Sequence, residues 1–310
     1  MNFEPTQDQS SVLSALDSLL QPFEASPVEP VPYAYAGALA ETLAESGFGD
    51  IAGVDGFGPL DAALVVERVA RVPQVVEIAA TALIAGALGL PADPRPLALA
   101  SGSALNAARF LPMARRLVVL HDSHADLVTP ADGAVEPVES LLAYPYGHLR
   151  TLEGARIERF EDAELVRRRW RIGIAAEAAG CMAAALAVVV DHVKSRFAFG
   201  RPLGSLQAIQ HRLAMAAETA ESARWLALRA AWADSDADAA IAAGFAQSRI
   251  AGFTYDLHQF SGAMGLTLEF PLHFWTYRLR ALAGELGGAG AQARAAAAAV
   301  WGDTAGSRAA

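Results

Sequence analysis

The sequence predicts a mainly α-helical chain with a small β region in its middle third. Three observations carry this. Alanine dominates a chain of 310 residues, 53% of them hydrophobic, which favours helices and supplies enough apolar surface for a sizeable core. Apolar residues recur at helical spacing through both ends of the chain. Between Pro91 and His148 that spacing gives way to short apolar runs separated by prolines and glycines, the texture of strands and turns.

Each element follows in order. Thr6 and Gln9 have the spacing of a capping box, and Val12, Leu16, Leu19 and Leu20 then fall on one helical face. Pro22, Pro27, Pro30 and Pro32 read as a linker. Helices are expected over residues 35–46, closed by Gly47 and Gly49, over 61–70, and over 74–88 after Pro73. The last of these is apolar nearly all round and reads as buried. Arg116–Leu120 and Ala125–Thr129 read as strands. From Phe160 onward the chain is helical again, with helices over Ala163–Ser195, 205–233, 239–260 and 271–284 and an alanine-rich tail that is partly helical or frayed. Long helices with short links imply an antiparallel four-helix bundle. The expected division is a helical N-terminal domain (1–95), a reduced middle β domain (96–158) and the bundle (159–310).

The net charge of −10, with no basic stripe, argues against nucleic acid as a partner. A lone cysteine, Cys181, excludes an intrachain disulfide and a Cys-rich metal site, and no metal-ligand set is read. The N-terminus is polar and acidic, unlike a signal peptide. The longest apolar run, 78–90, is short for a bilayer. A soluble cytoplasmic protein with no membrane partner is expected.

The stretch SRFAFGRPLGSLQAIQHRLAM, residues 195–215, carries the functional reading. Arg196, Phe199, Gly200, Pro202, Leu203, Gln207, Gln210 and His211 fall on the pattern RxxFGxPLxxxQxxQH, and Met215 closes the stretch. Further on, Gln259, Gly262, Gly265, Thr267, Glu269 and Pro271 fall on QxxGGxGxTxExP, with Ala263 at a position where glycine is usual. The opening FxPTxxQ and the segment GFGPLDAALVVER, 56–68, add weaker matches. Together these motifs resemble the acyl-CoA dehydrogenase family. The resemblance implies that family's fold and an FAD cofactor contacted by Arg196, Phe199, Gln207, Gln259, Gly262, Ala263 and Gly265, reaching across to the flavin of a neighbouring subunit. A guanidinium suits a pyrophosphate, a Gln amide can donate to a phosphate oxygen, and glycines let backbone approach a dinucleotide. Arg171 aligns with a family arginine close to the catalytic centre.

The catalytic parts depart from the pattern. Family enzymes take the α-proton of an acyl thioester with a glutamate whose pKa burial has raised. The two positions that supply it hold Leu286 and Trp170 here. Glu285 lies one residue before the first. On a regular helix that rotates the side chain by about 100°, so Glu285 reads as a solvated glutamate. Glu177 lies two turns beyond Trp170 and reads as a helix-surface carboxylate. The family's TEPxxGSD segment is missing between Leu90 and Arg116. That interval reads as too short for the missing strands, and Arg109-Phe110-Leu111-Pro112 resumes a pattern that ordinarily lies beyond them. No catalytic residue is therefore assigned.

Motifs that reach a partner's flavin are kept, and those that build a chain's own site are lost. The resemblance then implies a degenerate subunit of a heteromeric (α2β2) acyl-CoA dehydrogenase, like those of bacterial sterol side-chain degradation. It would complete the FAD site of a paralogous catalytic subunit acting on an acyl-CoA, a steroid-CoA among the candidates, with an electron-transferring flavoprotein as acceptor. Two alternatives stay open: a self-sufficient enzyme using Glu285, and a helical scaffold that no longer binds flavin.

Overall fold

A computed structural model describes residues 4–25, 34–91, 93, 95–198 and 200–302. The linker prolines 27, 30 and 32 and the expected flavin contact Phe199 lie outside the described residues.

Helix α1 (Gln7–Leu20) starts on the expected capping box, with Thr6 Oγ1 accepting from the Gln9 amide and Gln9 Oε1 from the Thr6 amide. Helix α2 spans Gly37–Glu45 and α3 spans Pro59–Val69. Pro59 opens α3, where a missing N–H costs nothing, and Asp61 caps it by accepting from the Gly58 amide at 2.8 Å.

The helix expected over 74–88 is a correction. Residues 74–78 are not helical; Val75 bridges Tyr35, and its carbonyl accepts from the Ala36 amide at 2.8 Å. The reason is the set of polar partners around this segment. The buried Arg278 donates to the carbonyls of Ala70, Val72 and Gln74, and Trp275 Nε1 donates to that of Arg71 at 3.0 Å. These side chains satisfy the carbonyls at the end of α3 that a continued helix would have used. Only from Ala79 is the backbone helical, in a π turn over Thr81–Ala85 and a 3₁₀ turn over Gly86–Leu88.

The middle region contains more strands than the two expected. They are β1 (Leu97–Ser101), β2 (Ala108–Arg109), β3 (Arg116–Leu120), β4 (Ala125–Thr129), β5 (Val135–Val138), β6 (Tyr146–Leu149) and β7 (Arg156–Phe160). Two sheets result, in the orders β1-β3-β4-β7 and β2-β6-β5. β1 runs parallel to β3, pairing Leu97 with Arg116, and β3 and β4 form an antiparallel hairpin pairing Leu120 with Ala125. The interval between Leu90 and Arg116 holds β1 and the two-residue β2.

Helix α4 (Ala163–Ser195) matches the expected bounds. By length and hydropathy it is the one helix among the described residues able to cross a membrane, but 72% of its most apolar stretch is buried within the protein. It is the central core helix. A short hairpin of β8 (Phe197–Ala198) and β9 (Arg201–Pro202) turns the chain into α5 (Gln207–Ala233), α6 (Asp236–Ser261) and α7 (His273–Leu282). The tail adds α8 (Gly288–Trp301), packed on α6: a Cβ on Gly244 would sit 3.1 Å from that of Gln292. The main hydrophobic core joins the N-terminal helices to the bundle through Leu16, Leu39, Ile84, Ile172, Ile174, Met182 and Ile250, while Leu111, Leu117, Val128 and Leu149 form a second core in the sheet region.

Candidate functional site

Three elements bring charged side chains to one point: mid-α4 with the Glu177 carboxylate, the turn after α7 with the Glu285 carboxylate, and the end of β2 with the Arg109 guanidinium. Phe110 follows with φ of 64°, a left-handed conformation that costs a bulky residue energy. The turn is held by the Phe110 amide donating to the Pro145 carbonyl and by the ring's edge-on contacts with Tyr35 and Tyr144. Arg109 lies 4.4 Å over the Tyr144 ring, and its guanidinium pairs with both carboxylates, at 3.2 Å with Glu177 Oε2 and through Nε with Glu285 Oε1. Tyr144 donates to Glu177 Oε1 at 2.5 Å, and Trp170 Nε1 donates to Glu285 Oε2 at 2.8 Å.

This corrects two expectations. Glu285 is not solvated, because its side chain is only 13% exposed and both oxygens are engaged. The helical rotation rule does not apply to it: α7 ends at Leu282, and Leu286 lies in the left-handed region (φ 49°) before Gly287 and Gly288, also at positive φ. Glu177 is likewise not a surface carboxylate, being 8% exposed. Trp170, at a position where the family pattern allows a base, instead donates to Glu285. Arg171 is buried and donates through Nε to Gln292 Oε1 at 2.8 Å. One sequence signal points to this cluster: Arg109, Tyr144 and Tyr146 are polar groups in apolar surroundings, and such groups need partners.

Burial raises the Glu285 pKa, while Arg109 and Trp170 pull it back down. For Arg109, burial opposes the charge, but Glu177 and Glu285 outweigh it and hold the guanidinium ionised. Glu77, also at this centre, accepts from the Ala80 amide and Thr81 hydroxyl at 2.6 Å each, and burial pushes its carboxyl up to about 7. Behind the Arg109–Glu285–Trp170 wall lies a cavity of about 30 Å³, lined with Val66, Val76, Ile78 and Ile84. That holds roughly a water molecule or two, not an acyl chain. In front is an open cleft of about 310 Å³ between β1, β2 and the 284–287 turn.

The expected flavin contacts lie elsewhere. α4 and α6 run the same way with α5 antiparallel to both, so the end of α4, the start of α5 and the end of α6 share one end of the bundle. A bidentate pair between Arg212 of α5 and Asp256 of α6 ties it. Arg196 caps α4, Gln207 opens α5 and Gln259 nearly ends α6; all three are exposed. Their side chains have no hydrogen-bond or ion-pair partner among the described residues. Gly262 (φ 59°) and Ala263 are exposed in the 3₁₀ turn that follows. Gly265 is buried, and a Cβ there would meet that of Ser261 at 2.7 Å. His258 braces the turn, contacting the Gly265 carbonyl at 2.9 Å and Thr276 Oγ1 at 3.1 Å. At a helical rise of about 1.5 Å per residue, Arg196 lies roughly 28 Å along α4 from Glu177.

Residues 168–301 match the model of the acyl-CoA dehydrogenase C-terminal domain. Residues 168–301 thus carry the acyl-CoA dehydrogenase C-terminal domain. The bovine mitochondrial short-chain specific acyl-CoA dehydrogenase is 42% identical over 106 residues, 33% of this chain and 26% of that protein. The match thus spans about a quarter of that relative's length. Acyl-CoA dehydrogenase IpdE2 of Mycobacterium tuberculosis is 29% identical over 230 residues, 70% of each chain. Among solved structures, a chain of the ChsE4–ChsE5 complex from Mycobacterium tuberculosis superposes with a TM-score of 0.79 at 20% identity, over 95% of this chain and 97% of that one. A chain of the Tcur3481–Tcur3483 "steroid ACAD" superposes with a TM-score of 0.74 at 20% identity, over 93% and 97%. At these identities the superpositions establish the acyl-CoA dehydrogenase fold, helical at both ends around a small sheet region.

Proposed function

We propose that this acyl-CoA dehydrogenase-family chain is a subunit of an FAD-dependent complex, completing the flavin site of a catalytic paralogue rather than supplying the base itself. The observation that carries this reading is the separation of the two sites. Arg196, Gln207 and Gln259 offer donors with no partner among the described residues at an exposed end of the bundle, with Arg196 roughly 28 Å along α4 from Glu177. These residues fit an anionic dinucleotide: a guanidinium for the pyrophosphate, two amides for further oxygens, and a tight turn at Gly262 and Gly265. FAD, when bound, supplies the hydride acceptor. This chain's residues bind and orient it from one side.

The interior supports the same reading. Arg109 occupies Glu177 and Glu285, and the cavity behind them is too small for an acyl chain. The substrate of the complex would be an acyl-CoA, and the likeness to the Tcur3481–Tcur3483 pair makes a steroid-CoA the first to assay. An electron-transferring flavoprotein is the proposed acceptor. A second reading has one observation in its favour: Glu285 borders the open cleft, and burial raises its pKa, as a base requires.

Purification separates these readings. A colourless chain that becomes yellow and active only when co-expressed with a catalytic paralogue supports the subunit. A yellow chain that oxidises acyl-CoA unaided, and loses activity in Glu285→Gln, supports the second reading. A complex that forms but stays colourless leaves a helical scaffold.

A further inference from the structure

The hairpin joining β3 to β4 carries a cluster of side chains that the flavin reading leaves unused. The His121 amide donates to the His124 carbonyl at 2.9 Å, closing the turn. His121 and His124 are therefore directly opposed across the hairpin, and their rings stack with centroids 4.5 Å apart. Asp126 is two residues beyond His124 on β4 and so lies on the same face. The two imidazole Nε2 atoms come within 3.3 and 3.5 Å of one oxygen, Asp126 Oδ2, and the three ligand atoms all lie within 4.8 Å of one another.

From this convergence we infer that His121, His124 and Asp126 form a divalent transition-metal site of the zinc class, with water completing the coordination. Ligand atoms each about 2.0 Å from a tetrahedral ion are roughly 3.3 Å apart, close to the two imidazole–carboxylate separations found here, and binding requires the stacked imidazoles to turn so that both lone pairs meet at the ion. Separations of 3.3 and 3.5 Å are long for hydrogen bonds. The donor set, two imidazoles and a carboxylate, suits zinc and cobalt rather than magnesium or calcium.

The surroundings hold each ligand in place. Ser123 Oγ lies 3.2 Å from His124 Nδ1, and a proton on Nδ1 leaves the Nε2 lone pair free for the ion. Arg159, opposite Asp126 on β7, holds Oδ1 through its Nε at 3.0 Å and reaches Oδ2 only at 3.4 Å. The Arg159 fork thus orients the carboxylate through both oxygens, Oδ1 the more closely, with Oδ2 also facing the two imidazoles. Arg167 of α4 donates to the His121 carbonyl at 2.9 Å and anchors the turn. The three ligand side chains are 14–28% exposed, so an ion can enter without any opening of the fold.

The test is a titration of the untagged, chelator-stripped chain with Co²⁺, read by visible absorption. A saturable one-to-one spectrum of a tetrahedral nitrogen–oxygen site, displaced by Zn²⁺, is expected. It should disappear in His124→Ala and Asp126→Asn and weaken by roughly tenfold in Ser123→Ala. His148→Ala, an imidazole on the other sheet, should leave it unchanged. Circular dichroism melts of each variant separate loss of binding from loss of fold. No saturable spectrum in the folded wild type, or a spectrum that survives His121→Ala with His124→Ala, overturns the site.

Discussion

At the residue scale, Arg109 holds the interior together. Its side chain compensates two carboxylates that would otherwise be charged and desolvated, and a buried charge stripped of its partner is far more costly than the pair was worth. Arg109→Ala is therefore expected to destabilise the fold by about 3–5 kcal/mol, measured by urea denaturation, and Glu285→Gln in that background should recover part of the loss. A fall within the ordinary surface range would mean that the carboxylates find other partners. Glu77 gives a pH signature. Burial, the largest cause, pushes its carboxyl up from 4.5 to about 7; hydrogen bonds from Thr81, Ala80 and Leu97 oppose this and the Glu177 charge adds to it. The folded state thus holds the proton more tightly than the unfolded state does. The stability this contributes is full below about pH 4.5 and is lost as pH rises through about 7, on the order of 3 kcal/mol in all. Relative to Glu77→Gln, the wild type should therefore gain stability as pH falls from about 8 to about 5. A difference that stays flat over that range would remove Glu77 as the titrating group.

At the element scale, close approach of backbones sets the core, and Gly180 is where it is tightest. A Cβ there would lie 2.2 Å from the Glu67 carbonyl oxygen and 2.7 Å from the Ala70 Cβ, so α3 and α4 pack with nothing between them. Neither neighbour is a flexible side-chain end. Gly180→Ala, usually favourable within a helix, should instead cost at least about 1–3 kcal/mol, seen as a lowered melting temperature. Elements of this kind were legible unevenly. Ala163–Ser195, Arg116–Leu120 and Ala125–Thr129 could be read to the residue because their periodicity is long or their flanking turns are sharp. Residues 74–88 could not, since an apolar run has the same pattern in a helix and in a buried extended segment, and the deciding partners, Arg278 and Trp275, lie 204 or more positions away in sequence. The short β2, of two residues, has no local signature, yet it delivers Arg109. Glu285 departs from the expectation for a related reason: no regular helix runs through it, and Leu286 takes a left-handed turn. The residues proposed to contact flavin stand out in the sequence because their spacing forms a contiguous motif. The ion-pair centre was not, because its members come from residues 109, 144, 170, 177 and 285 and meet only in three dimensions.

At the scale of the whole molecule, the carboxylate centre is internally paired and one end of the bundle faces outward. Arg109, Glu177, Glu285, Tyr144 and Trp170 satisfy one another inside, while Arg196, Gln207 and Gln259 face outward beside exposed apolar groups. Phe197 is 65% exposed and Leu266 82%, more apolar surface than a chain gains by showing to water. The two regions should therefore separate under mutation. Arg196→Ala combined with Gln207→Ala removes no internal partner, so the isolated chain should unfold within about 0.5 kcal/mol of wild type. In the complex with a catalytic paralogue, the same double variant should lower bound flavin, read from the ratio of visible to protein absorbance, and excess FAD should restore it by mass action. Arg109→Ala should do the reverse: it lowers the stability of the isolated chain, while flavin content per assembled complex stays near wild type. If the outward pair proved as destabilising as Arg109, or if flavin content followed chain stability in both variants, the bundle end would be a structural cap rather than one wall of a shared site.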